Sequence, residues 1–257
     1  MSDRVETYDV GDNPSFDLQT NAGDILVKEW DQPRVKIELS GDVNLVDAAV
    51  VDVTTDLITV HSREKSRLFG RRVHITVTTP PGSSIRAKVG AGAIRVRADI
   101  EDVALESGAG DIRVDESVRD VSIRVGSGDI MLPVVSGEVD ISSANGDIRI
   151  KSVNNAKIST AAGDVRLDNV ERSARIKSAS GDISVRRFAG TDLDIKTMSG
   201  DIRIGLIPNL EVKASIKTLS GDFRNRTTPS SGDRVGIASL QVSSFSGDVT
   251  LLSANAE

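Results

Sequence analysis

Apolar and polar residues alternate along most of this 257-residue chain. Val139-Asp140-Ile141-Ser142 and Ile148-Arg149-Ile150-Lys151 show the pattern, which is the period-two signature of a half-buried strand. No segment carries a helical period of useful length. The alternation is also phased. Asn145-Gly146-Asp147 stands between those two stretches, and the Gly-Asp pair returns regularly. Gly110-Asp111, Gly128-Asp129, Gly146-Asp147, Gly163-Asp164, Gly181-Asp182 and Gly200-Asp201 follow one another at steps of 18, 18, 17, 18 and 19 residues. Gly92-Ala93 is a degenerate copy upstream, and Gly23-Asp24 and Gly41-Asp42 lie earlier still. Gly221-Asp222 and Gly247-Asp248 follow after longer steps of 21 and 26 residues.

Aligned on the glycine, the copies share apolar columns. Five residues before it stand Leu105, Ile123, Ile141, Ile158, Ile176 and Ile195. Two residues after it stand Ile112, Ile130, Ile148, Val165, Ile183 and Ile202, and four after it Val114, Leu132, Ile150, Leu167, Val185 and Ile204. Such a period marks a stack of like units. One copy has too few aliphatics to offset the entropy of ordering it, so the copies must bury one another and pair one another's strand edges. The expected fold class is all-β: a single-stranded β-solenoid of ~18-residue coils, a β-helix wound right-handed by the general crossover preference. An antiparallel meander with Gly-Asp at its hairpin tips would satisfy the same columns, but so many strands would have to curl or close. Residues 1–84, whose strands keep a looser rhythm, are expected to form an N-terminal β cap region continuous with the array. Residues 85–257 are then the solenoid array, with Pro80-Pro81-Gly82 at the break. Val249-Thr250-Leu251-Leu252, close to the C-terminus, is expected to leave an apolar edge open to end-to-end association.

The Gly-Asp corner has its own logic. A tight corner often needs a positive φ, which glycine adopts without steric cost. Asp accepts hydrogen bonds from turn N–H groups. Parallel stacking would set successive Asp residues about 4.8 Å apart, where two charges repel by roughly 3–4 kcal/mol at an effective dielectric near 20. Arg113, Arg149, Arg166, Arg203 and Arg224 follow their Asp by two positions, on the same strand face, and Arg95 holds that place in the degenerate copy. A structural ladder of mixed charge is expected, broken at Met131, Ser184 and Thr250. Calcium binding by the Asp column is the alternative. Against it, calcium-binding β-roll repeats are shorter and richer in glycine, and here Arg fills the space a cation would need.

Composition narrows the function classes. Cysteine is absent, which removes disulfides and thiolate chemistry. The net charge of −6 argues against nucleic acid as a partner, and one Trp and one Tyr offer few stacking platforms. The opening Met1-Ser2-Asp3-Arg4-Val5-Glu6 has no apolar signal region and no window is apolar enough for a membrane span. A cytoplasmic location is therefore expected, with the cell surface reachable only by an export route the sequence does not reveal.

Candidate chemistry is sparse. His61 and His74 are separate, and a solvated or packed role is expected for each. The triplets Gly90-Ala91-Gly92 and Gly108-Ala109-Gly110 resemble a dinucleotide loop, but no helix follows them. Arg186-Arg187 with Asp192 and Asp194 is the one local density comparable to the sites of glycan-active β-helices. Residues 63–72 form the one basic stretch, expected to be a solvated loop between strands. No catalytic, cofactor or metal residue is assigned.

Val73-His74-Ile75-Thr76-Val77-Thr78-Thr79-Pro80-Pro81-Gly82, then Gly90-Ala91-Gly92-Ala93-Ile94-Arg95-Val96, then serial Ser-Gly-Asp-Ile-Arg copies, resemble the bacterial β-strand-repeat family labelled "putative adhesin". The resemblance runs from about Phe16 onward. It implies a solenoid similar to the right-handed β-helices, no established activity and no catalytic residues. The expected function is a non-catalytic binding or scaffold module. One flank would present Lys151, Lys157, Arg175, Lys177 and Lys196 to an unknown protein or surface partner. A glycan-active enzyme and a calcium-stabilised repeat are the alternatives.

Overall fold

The computed structural model describes residues 2–11, 13–54, 57–62, 71–228 and 236–254. Residues 63–70 of the basic stretch at 63–72 lie outside them. The chain divides into two compact units, Met1–Asp129 and Ile130–Glu257.

The first unit contains strands β1 (Ser2–Asp9), β2 (Ser15–Ala22), β3 (Ile25–Glu29) and β4 (Arg34–Gly41), then helix α1 (Val43–Asp47). Strands β5 (Val50–Val53), β6 (Leu57–His61), β7 (Val73–Thr79), β8 (Ser83–Ala91), β9 (Ile94–Arg97), β10 (Ile100–Ala109), β11 (Ile112–Val114) and β12 (Val118–Ser127) follow. Strands entering a glycine corner stack in parallel on one wall, and strands leaving it stack in parallel on the other. Leu105 is registered with Ala87 on one side and Ile123 on the other. Across the corner, Ile94 is registered with Ile25 and Ile112. These aliphatics are almost completely buried. The parallel pairing of successive copies is that of a β-solenoid-like fold and excludes the meander.

The stack does not follow chain order at its start. Strands β2 and β3, joined at Gly23-Asp24, lie between β6 and β7 on one side and β8 and β9 on the other. The array therefore begins at Ser15, inside the first 84 residues, and not at residue 85. The chain lays a coil, passes outside it to build β6 and β7, and then returns. Pro80-Pro81-Gly82 is that return. Gly82 has φ 79°, and the hydroxyls of Thr79 and Ser83 meet at 2.8 Å beneath it. Beyond the outer coil the pairing turns antiparallel: β4 on β7, β1 on β4 and β5 on β6. The short α1 buries Leu45 and Val46, and the Asp42 carboxylate accepts from the Asn44 N–H at its start. One turn of helix is too short to show as a period in the sequence.

The second unit contains β13 (Ile130–Asn145), β14 (Ile148–Ala162), β15 (Val165–Ser180), β16 (Ile183–Phe188), β17 (Asp192–Ser199) and β18 (Ile202–Leu206). It continues with β19 (Leu210–Ser220), β20 (Phe223–Arg226), β21 (Gly236–Ser246) and β22 (Val249–Ser253). Ile141 is registered with Ile158, Ile158 with Ile176, and Ile176 with Ile195. All four are buried to 0% exposure, so the columns do stack layer on layer. The longer steps at 221 and 247 have a structural cause. Strand β17 pairs with β21, and β21 with β19; likewise β18 pairs with β22, and β22 with β20. The coil of residues 210–226 is therefore outermost, and residues 236–253 slide in beneath it. This corrects the expected apolar edge at Val249–Leu252: Val249 is 0% and Leu251 4% exposed, sealed between two coils.

The corners are held by hydrogen bonds between layers. Along the array, Oδ1 of one corner Asp accepts from the backbone N–H of the next layer's Asp. Asp182 N–H donates to Asp164 (2.9 Å), Asp201 to Asp182 (2.9 Å), Asp248 to Asp201 (3.0 Å) and Asp222 to Asp248 (2.9 Å). Arginines take the second oxygen. Arg149 reaches Asp147 at 2.7 Å, Arg203 reaches Asp201 at 3.1 Å, and Arg224 bridges Asp222 and Asp248 at 3.0 and 2.7 Å. Others reach forward instead, Arg113 to Asp115 at 2.5 Å and Arg166 to Asp168 at 3.1 Å. Glycine is required twice over. Gly181 has φ 120°, and a Cβ there would sit 2.3 Å from the Gly163 carbonyl oxygen.

Gly181→Ala is therefore expected to destabilise the protein by about 2 kcal/mol or more, read as a lower urea midpoint. Acid should loosen the structure too. The hydrogen bond from Arg113, aided by Arg97, holds the Asp115 carboxyl below its ordinary range. A carboxylate with a depressed folded pKa stabilises above its unfolded value, about 3.9, and loses that stabilisation as pH falls through the folded value. The urea midpoint should drop between about pH 5 and pH 3, and Asp115→Asn should show a smaller drop.

Candidate binding groove

On the strands that leave the corners, long polar side chains normally project outward in columns. Three residues after the glycine the stacked order is Arg149, Arg166, Ser184, Arg203 and Thr250. Five residues after it stand Lys151, Asp168, Arg186, Gly205 and Leu252. Ser184 and Gly205 interrupt these columns and leave a trough of about 700 Å³. Gly205 cannot carry a side chain, because a Cβ there would lie 2.0 Å from the Arg186 carbonyl oxygen. Leu252, Ser253 and Ala254 close one side. They are present because the last coil is inserted out of order beside β18.

Lys151, Arg186, Arg187 and Arg203 line the trough against one carboxylate, Asp168. Each arginine is anchored. Arg186 meets Asp168 at 3.5 Å, Arg187 donates to the side-chain Oδ1 of Asn169 at 2.8 Å, and Arg203 donates to Asp182 at 3.3 Å and Asp201 at 3.1 Å. Their side chains remain about half exposed, at 46–50%. Lys151 has no ion pair among the described residues. The trough therefore offers oriented guanidinium N–H groups, which suit carboxylate and phosphate oxygens.

The structure sorts the residues singled out from sequence. Arg186 and Arg187 lie on β16, whereas Asp192 and Asp194 lie on β17 of the other wall, registered with Ser173 and Arg175. The four form no joint site. Asp194 is held by Arg175 at 3.4 Å and Lys196 at 3.7 Å, and its other oxygen is buried without a hydrogen bond. The expected basic flank is also divided. Lys157, Arg175, Lys177 and Lys196 lie on strands entering the corners, and Lys151 on one leaving. Lys157 is paired with Asp140 at 2.8 Å.

His74 proves to be part of the ladder. Its Nδ1 accepts from the Asp24 N–H at 3.2 Å, the position a corner carboxylate fills in other layers. His61 lies 3.7 Å from Asp17. Among the described residues no group of three or more His, Asp or Glu is placed to hold a metal ion. No described helix is long and apolar enough to cross a membrane. Sequence reasoning saw Ser184 as a break in the ladder but missed Gly205 and residues 252–254. Their partners on neighbouring strands are set only by the folded order.

A solved bacterial structure supports the fold. The chain is similar to a "putative adhesin" from Parabacteroides merdae, with a TM-score of 0.52 and 14% identity over 96% of this chain and 95% of that one. It is also similar to a "putative adhesin" from Bacteroides fragilis, with a TM-score of 0.46 and 13% identity over 98% and 97%. No curated protein matches it significantly. The parallel coils, the glycine corners and a family model matching residues 13–251 place the chain in the Toastrack DUF4097 family.

Proposed function

We propose that this Toastrack protein is a non-catalytic binding module, and that the trough on β14–β16, β18 and β22 takes an anionic partner. One observation carries this reading: four cationic side chains face one carboxylate around a cavity of about 700 Å³, on a chain whose net charge is −6. Local charge of one sign in a concave site draws in the opposite charge. Arg186 and Arg203 are pre-oriented by their acidic neighbours, so little side-chain freedom is lost on binding. The groups facing the trough are donors, suited to gripping carboxylates or phosphates. No nucleophile-and-base pair among them recommends bond-breaking chemistry. The adhesin names of the similar structures are compatible with a binding role, and the fold argument supports right-handed winding.

Fluorescence anisotropy with labelled inorganic polyphosphate tests the reading. Binding is expected and should weaken as salt rises, because the contacts are ionic. Lys151→Glu with Arg186→Glu should weaken it by about tenfold or more, whereas Lys157→Glu on the other wall should leave it unchanged. Equal affinity in all three proteins would refute the trough as the site.

A further inference from the structure

A second surface of this unit has a different character. In the residue two positions before the corner glycine, the inner coils carry Ala144, Ala161 and Ala179. The three outermost coils carry Met198, Phe245 and Leu219 instead, at 65%, 62% and 74% exposure. Their strand neighbours are in register (Thr197 with Ser244, Thr218 with Ser244), so the three side chains form one ridge. Phe223, on β20 of the other wall, is 47% exposed at the open end of the column two residues after the glycine and lies apart from the ridge.

Cations flank this ridge. Two positions before the apolar column, Lys177 and Lys196 are registered with each other, and Lys217 stands across Ser243 from Lys196. The outermost coil holds Lys213, Lys217, Arg224 and Arg226 against Glu211 and Asp222. That is four positive and two negative charges, a balance of +2 on a chain of net −6. Among the described residues, β19 pairs only with β21 and β20 only with β22.

We propose that this tip docks on the surface of an anionic lipid bilayer. Projecting apolar side chains ringed by Lys are what an interfacial membrane contact needs: the former enter the headgroup boundary and the latter meet acidic lipid. Met198, Leu219 and Phe245 border an open hollow of about 370 Å³ together with Lys177 and Lys196, and a fluid interface conforms to such a surface without a partner of matching shape. A second copy fits the charge poorly, since two such tips would bring Lys213, Lys217 and Arg226 against their own kind. This inference is independent of the trough, which lies on the other wall.

Vesicle flotation with the full chain tests it. The chain should float with vesicles of phosphatidylcholine and phosphatidylglycerol and stay behind with phosphatidylcholine alone. Leu219→Asp with Phe245→Asp should cut the bound fraction by about tenfold. Lys177→Glu with Lys196→Glu and Lys217→Glu, which spares every apolar group, should lower it too, with melting curves confirming that each variant folds. Three results would overturn the proposal. One is failure of the parent chain to float with the acidic vesicles. Another is binding lost in Lys151→Glu with Arg186→Glu but kept in the tip variants, which assigns the lipid to the trough. The third is a dimer by light scattering that Leu219→Asp with Phe245→Asp makes monomeric, which assigns the ridge to self-association.

Discussion

At the corners the backbone of one coil leaves no room for a side chain on the next. There the carbonyl oxygen of one glycine occupies the space where a Cβ of the next would stand, 2.1 Å away at Gly200 and 2.3 Å at Gly181. Much else follows from this approach. It fixes the offset between layers, and so brings each Asp carboxylate within reach of the next layer's N–H. With the corner pinned, residues at equal distance from it fall into register. Ile141, Ile158 and Ile176 then become one column, buried to completion. A coil lacking its neighbour would lose the hydrogen-bond partner, the charge partner and the apolar contact together, which is why stability in such repeats is shared between layers.

The charge ladder is better understood as corner chemistry than as surface decoration. Half-exposed ion pairs contribute little each. The carboxylates matter because one oxygen satisfies a backbone N–H that the tight corner would otherwise leave without a strand partner. Arginine then balances a row of like charges. His74 and Asp24 show the same requirement met by different chemistry: an imidazole nitrogen accepts where no carboxylate is supplied. The trough arises where that regularity lapses, at Ser184 and Gly205, so it is a defect in a repeating surface whose neighbours keep their charge.

Much of this was legible in the chain itself. Columns such as Ile148, Val165 and Ile183 are visible because a fixed step makes equivalent residues line up, and parallel stacking buries them without the curling or closure that a meander would need. The walls were legible for the same reason. Adjacency at the ends was not. Residues 210–226 and 236–253 fit the repeat equally well, and a pattern that says each is a coil does not say which lies above the other. Nor did the looser rhythm of the first 84 residues reveal that Phe16 and Leu18 sit in a regular layer, since the layers on either side come from distant sequence. The trough was half visible. Ser184 announces itself as a missing Arg, but the emptiness above Gly205 depends on Arg186 and Leu252 being its neighbours.

The reversed order of layers also bears on how such a chain can lengthen over evolutionary time. Tandem duplication appends a copy beside its parent in sequence, and that works only where sequence neighbours are also spatial neighbours. Within the first unit this holds from β8 onward, and within the second as far as β18. Outside those limits a duplicated segment would arrive next to the wrong layer. In this chain a duplicated coil would therefore meet its parent without rearrangement only within β8–β12 or β13–β18.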